Sequence, residues 1–148
     1  MLSSYFKIKT REKGFDEQIF SLFDELKDKK VIIYGIGDGF YALNKKYNFI
    51  KNLNVVALAD KKYENTSSKF VLGVKTVSPN KIAELEYDYI LVTNDSYDRI
   101  IKYLCHNISV NKDKIKTVFQ DSIGRCAYYV DCLYKHKFDK TLPKLIKK

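Results

Sequence analysis

Tryptophan is absent, methionine occurs once, and histidine occurs only at His106 and His136. The three cysteines, Cys105, Cys126 and Cys132, form no C-x-x-C pair. Neither histidine stands at zinc-finger spacing from two of them, which argues against a metal site. An odd cysteine count does not build a disulfide framework and fits a reducing compartment, so the three read as small apolar residues. No apolar run approaches the ~20 residues that span a membrane. The opening stretch Met1-Leu2-Ser3-Ser4-Tyr5-Phe6-Lys7 lacks the charged region and long apolar region of a secretory signal. The expectation is a cytoplasmic protein with no membrane span, in which the sequons at Asn65 and Asn107 carry no glycan.

Arginine is scarce too. It appears only at Arg11, Arg99 and Arg125, although Lys and Arg together number 27 and the formal net charge is +9. Readers of DNA and RNA favour arginine for bidentate contacts. A lysine excess alongside frequent asparagine, isoleucine and tyrosine is what an AT-rich gene encodes. No nucleic-acid partner is therefore expected. The basic tail from Lys135 to Lys148 reads as a solvated terminus with at most a weak anionic contact.

What is present is enough for one core. The chain has 148 residues, of which 45% are hydrophobic, and reads as a single domain. Residues 1–14 show no clear period and read as an arm, 15–120 as the core and 121–148 as a C-terminal helical extension. Phe15, Ile19, Leu22, Phe23 and Leu26 recur at helical spacing. Val31-Ile32-Ile33-Tyr34 is a continuous apolar run, as in a strand buried on both faces. A helix is expected from Gly39 to Asn52, on a stripe of Phe40, Leu43, Tyr47 and Ile50. Val55 to Ala59 is the second strand, stopping at Asp60. The segment 61–75 breaks the rhythm and reads as a loop. Lys75-Thr76-Val77 is a third strand, and Ser78-Pro79 opens a short helix. Tyr87 to Thr93 is the fourth strand, followed by a helix to about Cys105 with Tyr97, Ile100, Ile101 and Leu104 inward. Ile115 to Phe119 is the fifth strand, and Ile123 to Tyr134 reads as a further helix. Alternating strands and helices imply an α/β fold: a three-layer Rossmann-like parallel sheet of about five strands, ordered 3-2-1-4-5, with an N-terminal helix and a C-terminal helical extension.

The chemistry concentrates between Val31 and Asp60. Gly35 lets the chain turn sharply off the first strand. Gly37 carries no side chain, so a phosphate can approach its backbone. The next helix offers free N–H groups and a favourable dipole. Asp60 ends the second strand about twenty residues later, where a carboxylate accepts hydrogen bonds from ribose hydroxyls. The candidate cofactor-binding residues are Gly35, Gly37, Asp38, Gly39, Phe40, Asp60, Lys61, Thr93 and Asn94. Thr93 and Asn94 lie at the carboxyl edge and are expected either to contact the second half of the ligand or to cap a helix. Asp38 beside a phosphate is unfavourable. Lys61 and Lys62 suit a 2′-phosphate, but Asp60 opposes one, so NAD is expected over NADP. The dinucleotide fingerprint has a third small residue at position 40, where this chain has Phe40 and an extra glycine at Gly39.

Gly35-x-Gly37-x-Gly39 is equally the pattern of S-adenosylmethionine-dependent methyltransferases. These usually carry an acid two places before the first glycine, and here that place is Ile33. A ligand-free interaction module is the other alternative. Tyr41-x-x-x-Lys45 and Tyr47-x-x-x-Lys51 match the catalytic spacing of short-chain dehydrogenases but lie on the wrong helix. No Ser-His-Asp or Cys-His set can be assembled. The catalytic residues, if any, are unassigned.

The stretch Val31–Cys105 resembles a family of small Rossmann domains of bacterial surface-polysaccharide (nucleotide-sugar) biosynthesis. The resemblance is carried by Val31-Ile32-Ile33-Tyr34-Gly35-Ile36-Gly37, by Val55-Val56-Ala57-Leu58-Ala59-Asp60, by Leu72-Gly73-Val74-Lys75-Thr76-Val77-Ser78-Pro79 and by Tyr87-Asp88-Tyr89-Ile90-Leu91-Val92. It implies NAD or a related adenine or uridine nucleotide, or a nucleotide-sugar, as ligand. It also implies an accessory, often non-catalytic domain that works with a partner enzyme; the alternative is a complete small enzyme acting on a nucleotide-sugar through residues supplied by a homo-oligomer.

Overall fold

Val31, Ile32 and Ile33 are all fully buried, yet they face different cores. This follows from the two-residue period of a strand whose faces are both covered. The computed structural model describes residues 2–67 and 69–119. In chain order the elements are α1 (Leu2–Glu25), β1 (Lys30–Tyr34), α2 (Asp38–Tyr47), α3 (Phe49–Asn52), β2 (Asn54–Ala59), β3 (Phe70–Val71), β4 (Val74–Val77), β5 (Tyr89–Val92), α4 (Tyr97–His106) and β6 (Ile115–Thr117). Short 3-10 helices occupy Lys61–Tyr63, Pro79–Glu84 and Lys112–Lys114.

The protein is α/β, with one six-stranded, mostly parallel sheet ordered β3-β4-β2-β1-β5-β6. The expected five-strand order 3-2-1-4-5 is not the order found. The difference is β3, a strand inside the segment expected to be a loop. It pairs antiparallel with β4, while β4, β2, β1, β5 and β6 pair parallel. Val31, Ile33, Leu58 and Leu91 pack with Phe15, Ile19 and Leu22 of α1 and with Phe40 and Leu43 of α2. Ile32, Tyr34, Ala59, Ile90 and Val92 pack on the other face with Ile82 and with Leu104 of α4. The pairing of β1 with β2 slips by one residue, Val31 opposing Val55 and Ile32 opposing Ala57. This bulge lets Val55 and Leu58, three residues apart, serve the same core.

Three local differences have physical causes. The helix expected from Phe15 starts at Leu2, so residues 2–14 continue α1 rather than form an arm. Residues such as Lys7, Lys9, Arg11 and Glu12 are good helix formers and need no apolar stripe to extend an established helix. The helix expected over 39–52 is broken at Asn48, which adopts φ 56° and ψ 60°. Asparagine tolerates that conformation. The break is fastened by Asn44 Oδ1, which accepts from the Ile50 N–H at 3.0 Å. It also buries Phe49, while Ile50 of the expected stripe stays only half-buried. In α4 Leu104 alone of the four expected inward residues is fully enclosed. The helix expected over Ile123 to Tyr134 lies outside the described residues.

The β3–β4 hairpin turns through Leu72 and Gly73, with φ 51° and 78°. A two-residue turn with both φ positive favours Asn-Gly, because a branched apolar residue is strained there. Leu72 is also exposed. Leu72→Asn is expected to stabilise the protein by about 1 kcal/mol, read as a higher denaturant midpoint with an unchanged slope.

Candidate functional site

β1 ends where its two neighbours lead away in opposite directions, with β2 on one side and β5 on the other. In open α/β sheets the crevice outside the carboxyl ends of the strands at such a point receives ligands. The glycine turn lies there. Gly35 adopts φ +98°. Its N–H donates to Ala59 O at 3.0 Å, and its carbonyl accepts from Thr93 Oγ1 at 2.7 Å. A Cβ on Gly35 would lie 1.6 Å from Asn94 Oδ1. Both the conformation and the close approach demand glycine at this position.

Ile36 drives its side chain into the core of α1 and α2. Its backbone is gripped from both sides. The N–H donates to Asp60 Oδ2 at 2.7 Å, and the carbonyl accepts from the Lys62 ammonium. Asp60 Oδ1 meanwhile accepts from the Lys62 N–H at 3.1 Å. An ionised carboxylate has about four acceptor sites. One of those on Asp60 holds the turn and another caps the 3-10 helix Lys61–Tyr63.

Gly37 is the N-cap of α2 and provides no side-chain cap. A Cβ on Gly37 or on Gly39 would meet no described atom within 4 Å, and neither residue has a positive φ. The N-cap therefore contributes no side chain to the first turn of α2, whose dipole favours an anion. Asp38 lies in that first turn.

The remaining expected site residues have different roles. The Phe40 side chain is 1% exposed and belongs to the hydrophobic core, so it neither lines nor plugs the turn. This explains why a large residue is compatible with the position: the ring is swallowed between α2, α1 and the sheet. Thr93 is 2% exposed, and its hydroxyl is committed to Gly35 O and, at 3.2 Å, to Tyr34 O. It fastens β5 to the turn and does not cap α4, which begins after Ser96. Asn94 reaches the turn, but its Oδ1 is a buried acceptor with no partner among the described residues. Lys61 sets its ammonium 3.9 Å from the centre of the Tyr103 ring, a cation–π contact with α4.

Two contributors escaped the sequence reading, and a third, Lys62, was read only for its charge. Lys62 holds the turn rather than acting only through its charge. Tyr34 and Tyr63 flank Asp60 and are buried. Burial pushes the Tyr34 phenol well up, with help from Tyr103 and from the charges of Asp60 and Glu64. Tyr63 is pushed up to about 12 by burial, then by Tyr41 and Asp60. Both phenols stay protonated at neutral pH and are poor bases. A tyrosine at a strand end in a tyrosine-rich chain gives no sequence signal for this.

The fold and the turn define an α/β domain with a glycine turn between β1 and the head of α2. More particularly, the chain belongs to the C2185-like, N-terminal family, whose model matches residues 27–116. That span runs from the end of α1 to β6 and contains the whole glycine turn, Asp60, Thr93 and Asn94. No curated protein matches the sequence. Among the described residues, no helix is long and apolar enough to cross a membrane.

The glycines separate by role. Gly35→Ala is expected to cost roughly 2–4 kcal/mol, from backbone strain plus the clash with Asn94. Gly37→Ala should leave the unfolding free energy within about 0.5 kcal/mol of the parent. Chemical denaturation of the two variants checks both. Asn94→Ala removes a buried acceptor that lacks a partner. It should raise stability by about 1 kcal/mol, and a fall in the unfolding midpoint would show that the amide is satisfied in solution.

Proposed function

We propose that this chain binds NAD or a nucleotide-sugar at the turn Gly35–Phe40, as a Rossmann-like accessory domain in bacterial surface-polysaccharide biosynthesis. The observation that carries the binding is the presence of glycine at 37 and 39, where the fold does not require it. Glycine inside a helix costs about 1 kcal/mol relative to alanine. Neither backbone conformation nor neighbouring described atoms explain that cost at Gly39. An approaching pyrophosphate does, since it needs the backbone bare.

Charge and hydrogen bonding support the same reading. Asp60 keeps acceptor capacity for ribose hydroxyls, and its negative charge favours NAD over a 2′-phosphorylated form. The Lys62 ammonium at Ile36 O brings positive charge to the turn. The polysaccharide context rests on the resemblance of Val31–Cys105 to such domains. The accessory role is supported by the phenols of Tyr34 and Tyr63, which are held protonated beside Asp60 and so offer no base. Chemistry would then fall to a partner enzyme or to a second copy of the chain.

A thermal-shift panel of NAD, NADP, UDP- and CDP-sugars, adenosylmethionine and coenzyme A tests the proposal. A ligand at about 100 times its dissociation constant stabilises by ~2.7 kcal/mol. We expect NAD or one of the nucleotide-sugars to raise the midpoint, and Gly37→Val to abolish the rise while leaving the unliganded midpoint unchanged. Silence across the panel, or a rise that survives Gly37→Val, overturns it.

A further inference from the structure

The segment after Asp60 does more than connect strands. It roofs a cavity of about 240 Å³ beside the outer end of β4, walled by Thr66, Ser67, Lys75, Ser78, Lys81 and Glu84 among others. None of the residues lining it belongs to the glycine turn, and Asp60 is not among them. The walls are pinned in place. Thr66 Oγ1 donates to Tyr63 O at 2.9 Å, and the Glu64 N–H donates to Lys61 O at 3.0 Å, which folds the roof. Thr76 fastens the start of the hairpin, donating from its N–H and its hydroxyl to Lys69 O at 2.9 and 3.0 Å. The Pro79–Glu84 helix is anchored through the fully buried Ile82.

The size and the chemistry of the walls limit the occupant. Pockets that enclose whole drug-sized ligands run from about 300 to 1,000 Å³, so this one suits a single ring. The walls offer both donors and acceptors. Ser67 makes no hydrogen bond among the described residues, and Ser78 Oγ, engaged with Asn80, keeps lone pairs to accept. Charge is unbalanced: Lys81 pairs with Glu84 at 3.7 Å, while Lys75 has no ion pair among the described residues. A compact polyol bearing one anionic group satisfies all three conditions. A neutral sugar leaves Lys75 uncompensated, and a bare anion leaves the hydroxyls and Glu84 facing water.

We propose that this cavity is a binding site for a small anionic polyol, a single sugar ring carrying one phosphate or carboxylate. Lys75 and Lys81 meet the anion, and Ser67, Ser78 and Glu84 meet the ring hydroxyls. The site stands independently of nucleotide binding at the glycine turn.

The test is amide chemical-shift mapping on the full chain, with glucose 6-phosphate, glucuronate, glucose and inorganic phosphate as probes. Glucose 6-phosphate or glucuronate should move the amides of residues 66–67, 75–78 and 81–85 and leave those of 35–40 in place. Glucose and inorganic phosphate should each bind at least tenfold more weakly. The double variant Lys75→Ala/Lys81→Ala should lose at least tenfold in affinity for the responding probe at an unchanged unfolding midpoint, since both side chains are exposed. Any of three results overturns the proposal. The first is no movement at these amides at millimolar probe. The second is inorganic phosphate binding as tightly as the sugar acids. The third is shifts centred on 35–40, which would assign the anion to the glycine turn instead.

Discussion

The backbone of one residue, Ile36, organises this end of the molecule. The N–H of Ile36 is held by the Asp60 carboxylate, and its carbonyl by the Lys62 ammonium. The turn off β1 is thereby tied to the end of β2, with Ile36 itself sunk in the core as ballast. Charge-assisted hydrogen bonds are about twice as strong as neutral ones, and here two of opposite sign act on the successive peptides that flank Ile36. That grip fixes where α2 begins and so where its amides point. Thr93 supplies the matching tie from β5. The turn is a junction of three strands before it is anything else.

The same arrangement explains why one glycine differs from two others nearby. Gly35 lies inside the junction, where Asn94 leaves no room for a side chain. Gly37 and Gly39 lie beyond it, where the backbone faces space. A motif of three glycines thus contains one residue that the fold needs and two at which no described neighbour excludes a side chain. Asp60 has a second task beside the junction: its other oxygen caps the helix that follows, accepting from the Lys62 N–H.

How much of this could be read in advance depended on range. The buried strands announced themselves through unbroken runs such as Val31-Ile32-Ile33, because a strand covered on both faces needs apolar residues at every position. Gly35 and Asp60 were legible from spacing along neighbouring strands. The strand Phe70–Val71 was not: two residues give no period, and Leu72-Gly73 lacks the usual hairpin chemistry. The break at Asn48 was hidden for a related reason, since Phe40, Leu43 and Tyr47 already form a good stripe whose spacing Ile50 continues. Phe40 looked like a defect in a binding motif, and only the third dimension shows its ring sunk in the core instead. Lys62 and Tyr63 depend on contacts across the sheet edge, which no local pattern encodes.

The bulge between Val55 and Ala57 has a consequence for how this domain tolerates changes in length. A strand alternates its side chains, so adding or removing one residue between Ala57 and Asp60 would swing the carboxylate to the opposite face and release the Ile36 N–H. At the bulge, however, one residue is already surplus to the pairing. Losing Val56 would leave a regular ladder with every later side chain still correctly directed. Insertions and deletions in this strand are therefore admissible on its amino-terminal side of the bulge and forbidden beyond it, where a single residue decides whether the two ends of the junction meet.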